Sequence, residues 1–207
     1  MPLITAIKPQ KNNKRLNIYL DGKFGFGIDL ENFVKLKLKV EQELEDKQIE
    51  EIVKKAEFQK TFEKILRFVT LRPRSEKEIS NWLRRKKIHE SLHKDLFIRL
   101  NRLDLVNDRK FAEWWIGQRQ AFRPRGVRAL TMELRQKGIK KEVIGEVLAE
   151  TTIDEFQIAK KLLERRSYKW KNLPEPEAKR KMSQFLAGKG FGWEVISKLI
   201  RNTSFEE

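Results

Sequence analysis

The feature that most constrains the fold is a pattern that occurs three times along the chain. In each copy a proline precedes an apolar residue by six positions, a leucine by ten and another apolar residue by fifteen; the prolines are Pro73, Pro124 and Pro176. Successive prolines are 51 and 52 residues apart. A period of this size indicates one supersecondary unit used three times in tandem. Because such arrays present extended surfaces, the pattern favours binding of a partner over a pocket for a substrate.

Each copy contains three stretches with apolar residues at helical spacing, which predicts a three-helix repeat of the helix-turn-helix type. Ser75 followed by Glu78 is a capping-box pattern and predicts the start of the middle helix in the first copy. Gly138 and Gly190 stand where a helix C-cap favours a left-handed residue, and Lys87 holds the matching place in the first copy.

The chain before the first repeat has the period of β-strands. Apolar and polar residues alternate on both sides of Asp21-Gly22, a dipeptide that is typical of a tight hairpin turn. We expect a third strand at residues 3–7, joined by a polar turn from Pro9 to Lys14. A short helix at residues 30–36 and a short strand at residues 40–44 complete the predicted N-terminal part.

The predicted fold class is therefore mainly α, with a tandem array of three three-helix repeats after a small β-hairpin or β-sheet domain. We place the β-rich domain at residues 1–48. The three repeats are assigned to residues 49–106, 107–151 and 152–207.

The charge of the chain is strongly positive and unevenly distributed. Its 207 residues include 46 lysines and arginines against 30 aspartates and glutamates, a net charge of +16. Residues 59–150 hold 23 basic and 12 acidic side chains, a net charge of +11. Such a field attracts polyanions, and nucleic acid is the commonest one. The alternative is a basic, helix-rich protein whose charge only keeps it soluble.

Residue types that support catalysis or metal binding are sparse. Cysteine is absent, which excludes disulfides and thiolate metal sites and fits a reducing cytoplasm. His89 and His93 would share a helix face if that stretch is helical, but no third metal ligand lies at a suitable spacing. No apolar run approaches the ~20 residues that cross a bilayer. We expect a cytoplasmic, monomeric binding protein with no catalytic residues, no metal, no cofactor and no membrane contact.

The basic residues around the first two middle helices are the predicted binding residues. Arginine predominates beside the prolines, and its planar group suits bidentate contact with phosphate or carboxylate. Compensation of helix end charges is the alternative, above all for the lysines. The predicted nucleic-acid or filament-binding residues are Arg72, Arg74, Arg84, Arg85, Lys86, Lys87, Arg119, Arg123, Arg125, Arg128, Arg135, Lys137, Lys140 and Lys141.

The third repeat departs from the first two. Glu175 and Glu177 flank its proline in place of an arginine pair, so a contact with protein is an alternative to DNA binding there. Phe185 matches Trp82 of the first repeat, and Glu133 fills the same place in the second. A shared apolar position is more often part of a core than a platform for bases.

The order of these motifs resembles the RecX family of bacterial recombination regulators. The resemblance rests on Arg-Pro-Arg-Ser-Glu-Lys-Glu-Ile at 72–79, on Leu-Asp-Leu-Val-Asn-Asp-Arg-Lys-Phe-Ala at 103–112 and on Lys-Gly-Ile at 137–139. The three-repeat organisation extends it to the C-terminal part, and the Asp-Gly hairpin resembles the N-terminal extension of some members.

The resemblance implies a regulator of the RecA recombinase. Such proteins lodge in the groove of the RecA filament on single-stranded DNA, where they block filament growth, ATP hydrolysis and strand exchange in homologous recombination and the SOS response. Several also bind DNA directly, single-stranded or duplex. The alternative is a nucleic-acid-binding protein that acts without RecA through its basic helical repeats.

Overall fold

A computed structural model describes residues 1–11 and 13–201 of the chain. It begins with a three-stranded antiparallel sheet whose strands are adjacent in chain order: β1 (Ile4–Pro9), β2 (Arg15–Leu20) and β3 (Lys23–Asp29). Asn12, in the turn predicted after Pro9, and residues 202–207 of the predicted third repeat lie outside the described residues.

The rest of the described chain is helical. Its α-helices are α1 (Leu30–Leu36), α2 (Asp46–Thr70), α3 (Glu76–Arg85), α4 (His93–Arg102), α5 (Asp108–Phe122), α6 (Val127–Gln136), α7 (Lys141–Glu150), α8 (Glu155–Glu164), α9 (Glu175–Gly188) and α10 (Trp193–Arg201). Short 3-10 turns at Glu90–Leu92 and Ser167–Lys169 precede α4 and α9. The mainly helical fold class, with a small sheet that precedes three-helix repeats along the chain, is confirmed.

The hairpin between β2 and β3 forms at the predicted dipeptide. Asp21 and Gly22 have φ angles of 48° and 77°, and Leu20 pairs with Lys23 across the turn. Two residues with positive φ are what a type I′ turn requires, and its twist matches that of the strands. The third strand and the short helix after the sheet are also confirmed.

The short strand predicted at residues 40–44 is wrong. Within the described residues this stretch forms only an isolated bridge between Leu3 and Glu43. Glu41 has a φ of 66°, so the extended conformation is interrupted there. Leu44 is nevertheless buried, because its side chain joins the core under the sheet.

The chain separates into two compact units. The first comprises Met1–Arg72 and Leu83–Leu103, and the second comprises Pro73–Trp82 with the chain from Asp104 on. In the first unit α2 packs on the sheet and closes an apolar core. That core contains Ile4, Ile18, Phe26, Ile28, Leu38, Leu44, Ile52 and Ala56.

The second unit has one apolar core for each of the later repeats. Helices α5, α6 and α7 enclose Phe111, Ala112, Ile116, Leu130, Leu134, Ile139, Ile144 and Val147. Helices α8, α9 and α10, with the segment before α9, enclose Ala159, Leu163, Trp170, Ala178, Met182, Leu186, Phe191, Ile196 and Leu199. Since full burial of such a side chain contributes about 1.5–3 kcal/mol, each of these two repeats is held by its own core.

Candidate nucleic-acid interface

The start of α3 contacts the end of α6 within the second unit. Ser75 is fully buried, and its Oγ accepts a hydrogen bond from the backbone N–H of Glu78 at 3.2 Å. The same hydroxyl donates to the carbonyl of Lys137 at 2.8 Å. Gly138 follows with a φ of +89°, and a Cβ there would lie 2.6 Å from the Cβ of Lys77. We call this contact the first repeat junction.

The same contact recurs one repeat later, between the start of α6 and the end of α9. The backbone N–H of Gly126 donates to the carbonyl of Lys189 at 3.0 Å. Gly190 has a φ of +84°, and a Cβ there would lie 2.3 Å from the Cβ of Ala129. We call this contact the second repeat junction. The periodic Lys-Gly dipeptide of the sequence thus corresponds to a periodic contact between middle helices.

The charges at the first repeat junction are matched. Lys137 Nζ lies 2.8 Å from one carboxylate oxygen of Glu78, and Arg74 Nη1 lies 3.9 Å from the other. The side chains of Arg74 and Glu78 are only 13% and 14% exposed, so solvent screens this group weakly. Arg74 and Lys137, both predicted to bind a polyanion, therefore also neutralise a half-buried acid.

A second group of predicted residues surrounds Glu133. One oxygen of this carboxylate accepts hydrogen bonds from Trp115 Nε1 at 2.8 Å and from Arg119 Nε at 2.6 Å. Arg125 Nε lies 3.8 Å from the other oxygen. The guanidinium of Arg119 also lies 4.5 Å from the centre of the Trp115 ring. In the second repeat Glu133 stands where the first repeat has Trp82. An acid is tolerated at this position because its carboxylate is bound by these donors and does not enter a core.

The second repeat junction carries basic residues around Phe185 and has Ala129 where the first junction has Glu78. Arg166 Cζ lies 4.6 Å from the centre of the Phe185 ring, and Lys189 Nζ lies 5.7 Å from it. Burial lowers the pKa of Lys189 from its ordinary value, and the charges of Arg125, Arg166 and Arg123 lower it further. Arg166 and Lys189 lie outside the set of residues predicted from the sequence. The equivalence of Lys189 with Lys137 was the available signal.

The predicted residues are divided between the two units. Arg72, Arg84, Arg85, Lys86 and Lys87 belong to the first unit and the remaining nine to the second. The exposed members are Arg84, Arg85, Lys86, Lys87, Arg123, Arg128, Arg135, Lys140 and Lys141, whereas Arg72, Arg74, Arg119, Arg125 and Lys137 are half-buried. Phosphate can reach exposed cations without displacing neighbouring protein groups, so the exposed members are the stronger candidates.

The two histidines do not share a helix face, because the stretch from His89 to His93 is not one helix. His89 has an extended backbone (φ −60°, ψ 137°) and caps the 3-10 turn before α4, whereas His93 is the first residue of α4. A spacing of four is therefore not one helical turn here. Within residues 1–11 and 13–201 there is no group of three side chains that could hold a metal ion. No helix in this part of the chain has the length and apolar character to span a membrane.

Three family models match the chain in the order of its parts. The model of the regulatory protein RecX N-terminal domain matches residues 2–45. The model of the RecX second three-helix domain matches residues 107–148, and that of the third three-helix domain matches residues 153–200.

The similarity extends over whole proteins. The regulatory proteins RecX of Bacillus licheniformis and Bacillus subtilis are each 35% identical over 208 aligned positions, which cover 100% of this chain and 79% of theirs. That of Staphylococcus aureus strain Newman is 30% identical, with 100% of this chain and 76% of the relative covered.

Solved structures agree with these sequence matches. A crystal structure of regulatory protein RecX superposes with a TM-score of 0.75 and 27% identity, covering 98% of this chain and 100% of its own. The crystal structure of RecX from Lactobacillus salivarius shares the fold, with a TM-score of 0.62 at 24% identity over 70% of this chain and 95% of its own. The sequence and the fold of this chain together show that it belongs to the RecX family of regulatory proteins.

Proposed function

We propose that this chain binds the RecA recombinase and its filament on single-stranded DNA. Bound there, it inhibits filament extension, ATP hydrolysis and strand exchange in homologous recombination and the SOS response. The observation that carries the proposal is the similarity to regulatory proteins RecX along the whole chain, at 35% identity. The chain acts as a monomer in the cytoplasm, as a regulator without catalytic residues or a cofactor.

The charge distribution supports a filament that contains DNA as the partner. The net charge of +11 between residues 59 and 150 falls on the first two repeats, and most of the predicted residues there are exposed. Cations that neutralise phosphates release condensed counterions, which drives binding at moderate salt. A tandem of repeats, with the boundaries proposed above, can contact several positions along a filament and so oppose the addition of further RecA subunits.

A titration of the chain into RecA assembled on single-stranded DNA, with ATP hydrolysis as the readout, tests this function. We expect inhibition at well below one molecule per RecA monomer, because one regulator affects many subunits of a filament. Replacing Arg85, Lys86 and Lys87 with glutamine should weaken inhibition about tenfold. The matched control replaces Lys11, Lys23 and Lys39, exposed lysines outside the predicted set, and removes the same charge.

A second candidate function is nucleic-acid binding that acts without RecA, which the concentrated positive charge also supports. In that case ATP hydrolysis would fall only when the chain covers all the DNA. Equal loss of inhibition in both triple-glutamine variants would also contradict a specific filament contact.

A further inference from the structure

The two repeat junctions differ in the acid that lies closest to the repeated place of the lysine. The buried pairs Ile79 and Leu83 in α3 match Leu130 and Leu134 in α6 at a spacing of 51, which places Ala129 where the first junction has Glu78. Glu78 is the acid that Lys137 contacts at 2.8 Å. The second junction keeps the equivalent lysine and lacks the equivalent acid.

One acid lies at the second junction, since Glu155 accepts a hydrogen bond from the backbone N–H of Val127 at 2.8 Å, but it forms no ion pair with the cations there. Among residues 13–201, no carboxylate forms an ion pair with Arg123, Arg166 or Lys189. Arg125 approaches only Glu133, and its buried Nε makes no hydrogen bond at that separation of 3.8 Å. Phe185 holds two of the cations together, since both Arg166 and Lys189 lie against its ring.

Like charges held close together repel each other, and partial burial strengthens the repulsion. Burial lowers the pKa of Lys189 most, and the charges of Arg125, Arg166 and Arg123 lower it further. An anion bound among the four cations would remove the repulsion, and a phosphate group accepts several charge-assisted hydrogen bonds at once. The first junction has no such need because Glu78 already supplies the negative charge.

Exposed aromatic residues adjoin these cations in the chain. Phe122, next to Arg123, is 76% exposed, and Tyr168, two residues after Arg166, is 71% exposed. Unpaired bases stack on aromatic rings beside a basic surface. An acidic peptide needs only the cations for its carboxylates. This combination favours single-stranded nucleic acid as the ligand.

We propose that the second repeat junction is a binding site for the phosphodiester backbone of single-stranded nucleic acid, formed by Arg123, Arg125, Arg166 and Lys189. The site extends the nucleic-acid contact into the third repeat, where the sequence favoured protein as much as DNA. It rests on the proposed function and specifies which part of the chain meets the DNA.

The test measures binding of a short fluorescent oligo(dT) to the full chain without RecA, across a salt series. The cluster variant replaces Arg123, Arg166 and Lys189 with glutamine, and the control variant replaces Lys11, Lys23 and Lys39. We expect the cluster variant to bind at least tenfold more weakly than the control. The slope of log affinity against log salt should fall by about 2, since each lost phosphate contact on a single strand contributes about 0.7.

Thermal unfolding separates a binding role from a structural one. Without DNA the cluster variant should melt at or above the temperature of the wild type, because a repulsion has been removed. Oligo(dT) at a concentration near the Kd of the wild type should raise the melting temperature of the wild type more than that of the cluster variant. A destabilised cluster variant that gains as much stability from oligo(dT) as the wild type would contradict the proposal.

Other outcomes distinguish a failure of the proposed site from a failure of the proposed function. Equal weakening in the cluster and control variants would show that only the overall charge matters and would overturn the site. Unlabelled polyglutamate that displaces the fluorescent oligo(dT) as strongly as unlabelled oligo(dT) of equal charge would overturn the assignment of DNA as the ligand. The ligand would then be an acidic protein segment. If the wild type inhibits RecA while the cluster variant binds oligo(dT) normally, only the site fails. If the cluster result holds without inhibition of RecA, only the proposed function fails.

Discussion

Ser75 is a residue whose hydroxyl group serves two helices. Its role as N-cap of α3 could be predicted from the Ser-x-x-Glu spacing, because the cap is a local hydrogen bond. Its second bond, to the carbonyl of Lys137, joins residues 62 positions apart and has no local signal. Glu78 likewise lies in the predicted capping motif, yet its carboxylate contacts Lys137 across the junction.

Replacing Ser75 with alanine should lower the free energy of unfolding by about 1–3 kcal/mol, since a cap is lost and a buried carbonyl loses its donor. Replacing Ser80, in the middle of α3, should change it by less than about 0.5 kcal/mol. Urea denaturation followed by circular dichroism measures both. Equal stability of the two variants would mean that the junction bond contributes nothing.

Asp29 is a nearly buried carboxylate that caps α1. Its oxygens accept hydrogen bonds from the backbone N–H and the side-chain amide of Asn32, at 2.9 and 2.8 Å. Burial acts to raise the pKa of Asp29, but the hydrogen bonds of Asn32 and the charge of Arg15 outweigh it and hold the pKa below the ordinary value of 3.8. The charged form is therefore the one that stabilises the fold.

The stability that Asp29 adds is fully present above its ordinary pKa and is lost as the pH falls through the lower pKa of the folded state. We expect Asp29→Asn to cost about 1 kcal/mol at neutral pH and progressively less below pH ~4. Unfolding curves of both proteins at several pH values provide the measurement. A difference that stays constant down to pH ~2 would contradict the assigned role.

The helices and their ends were largely predictable from local pattern. Apolar periodicity identifies the helices, and positive φ angles occur at Gly138, Gly190 and also Lys87, the non-glycine residue in the same repeat position. The strand predicted at residues 40–44 fails because Glu41, within it, has a positive φ. His89 and His93 share no helix face because His89 is extended.

The end of α9 is predicted to depend on glycine for two reasons. Gly190→Ala would place a side chain in the left-handed region and against the backbone of Ala129, so we expect a loss of at least about 1–3 kcal/mol. Gly145→Ala, in α7 with open space around it, should instead add about 0.5–1 kcal/mol. Urea denaturation of both variants provides the comparison. A neutral Gly190→Ala would mean that the second junction tolerates separation of its helices.

For the whole molecule, composition predicted a basic binding protein but not which cations are available. Charge counts treat Arg74 and Arg123 alike, although the first pairs with a half-buried acid and the second is exposed. At the second junction Arg123 and Arg125 were predicted but Arg166 and Lys189 were not, because the cluster depends on alanine in place of an acid at position 129. The effect of that alanine on the cations is evident only from the contact between the second and third repeats. The four-part division of the chain and the set of binding residues stay predictions.

The most direct test compares binding of the fluorescently labelled chain to RecA filaments on single-stranded DNA and to the same DNA without RecA, at equal salt. If RecA is the partner, the Kd for the filament should be at least tenfold lower than the Kd for bare DNA. It should also persist at salt concentrations that release the chain from bare DNA, since protein contacts add to phosphate contacts. Equal or weaker binding to the filament would contradict the proposed regulation of RecA.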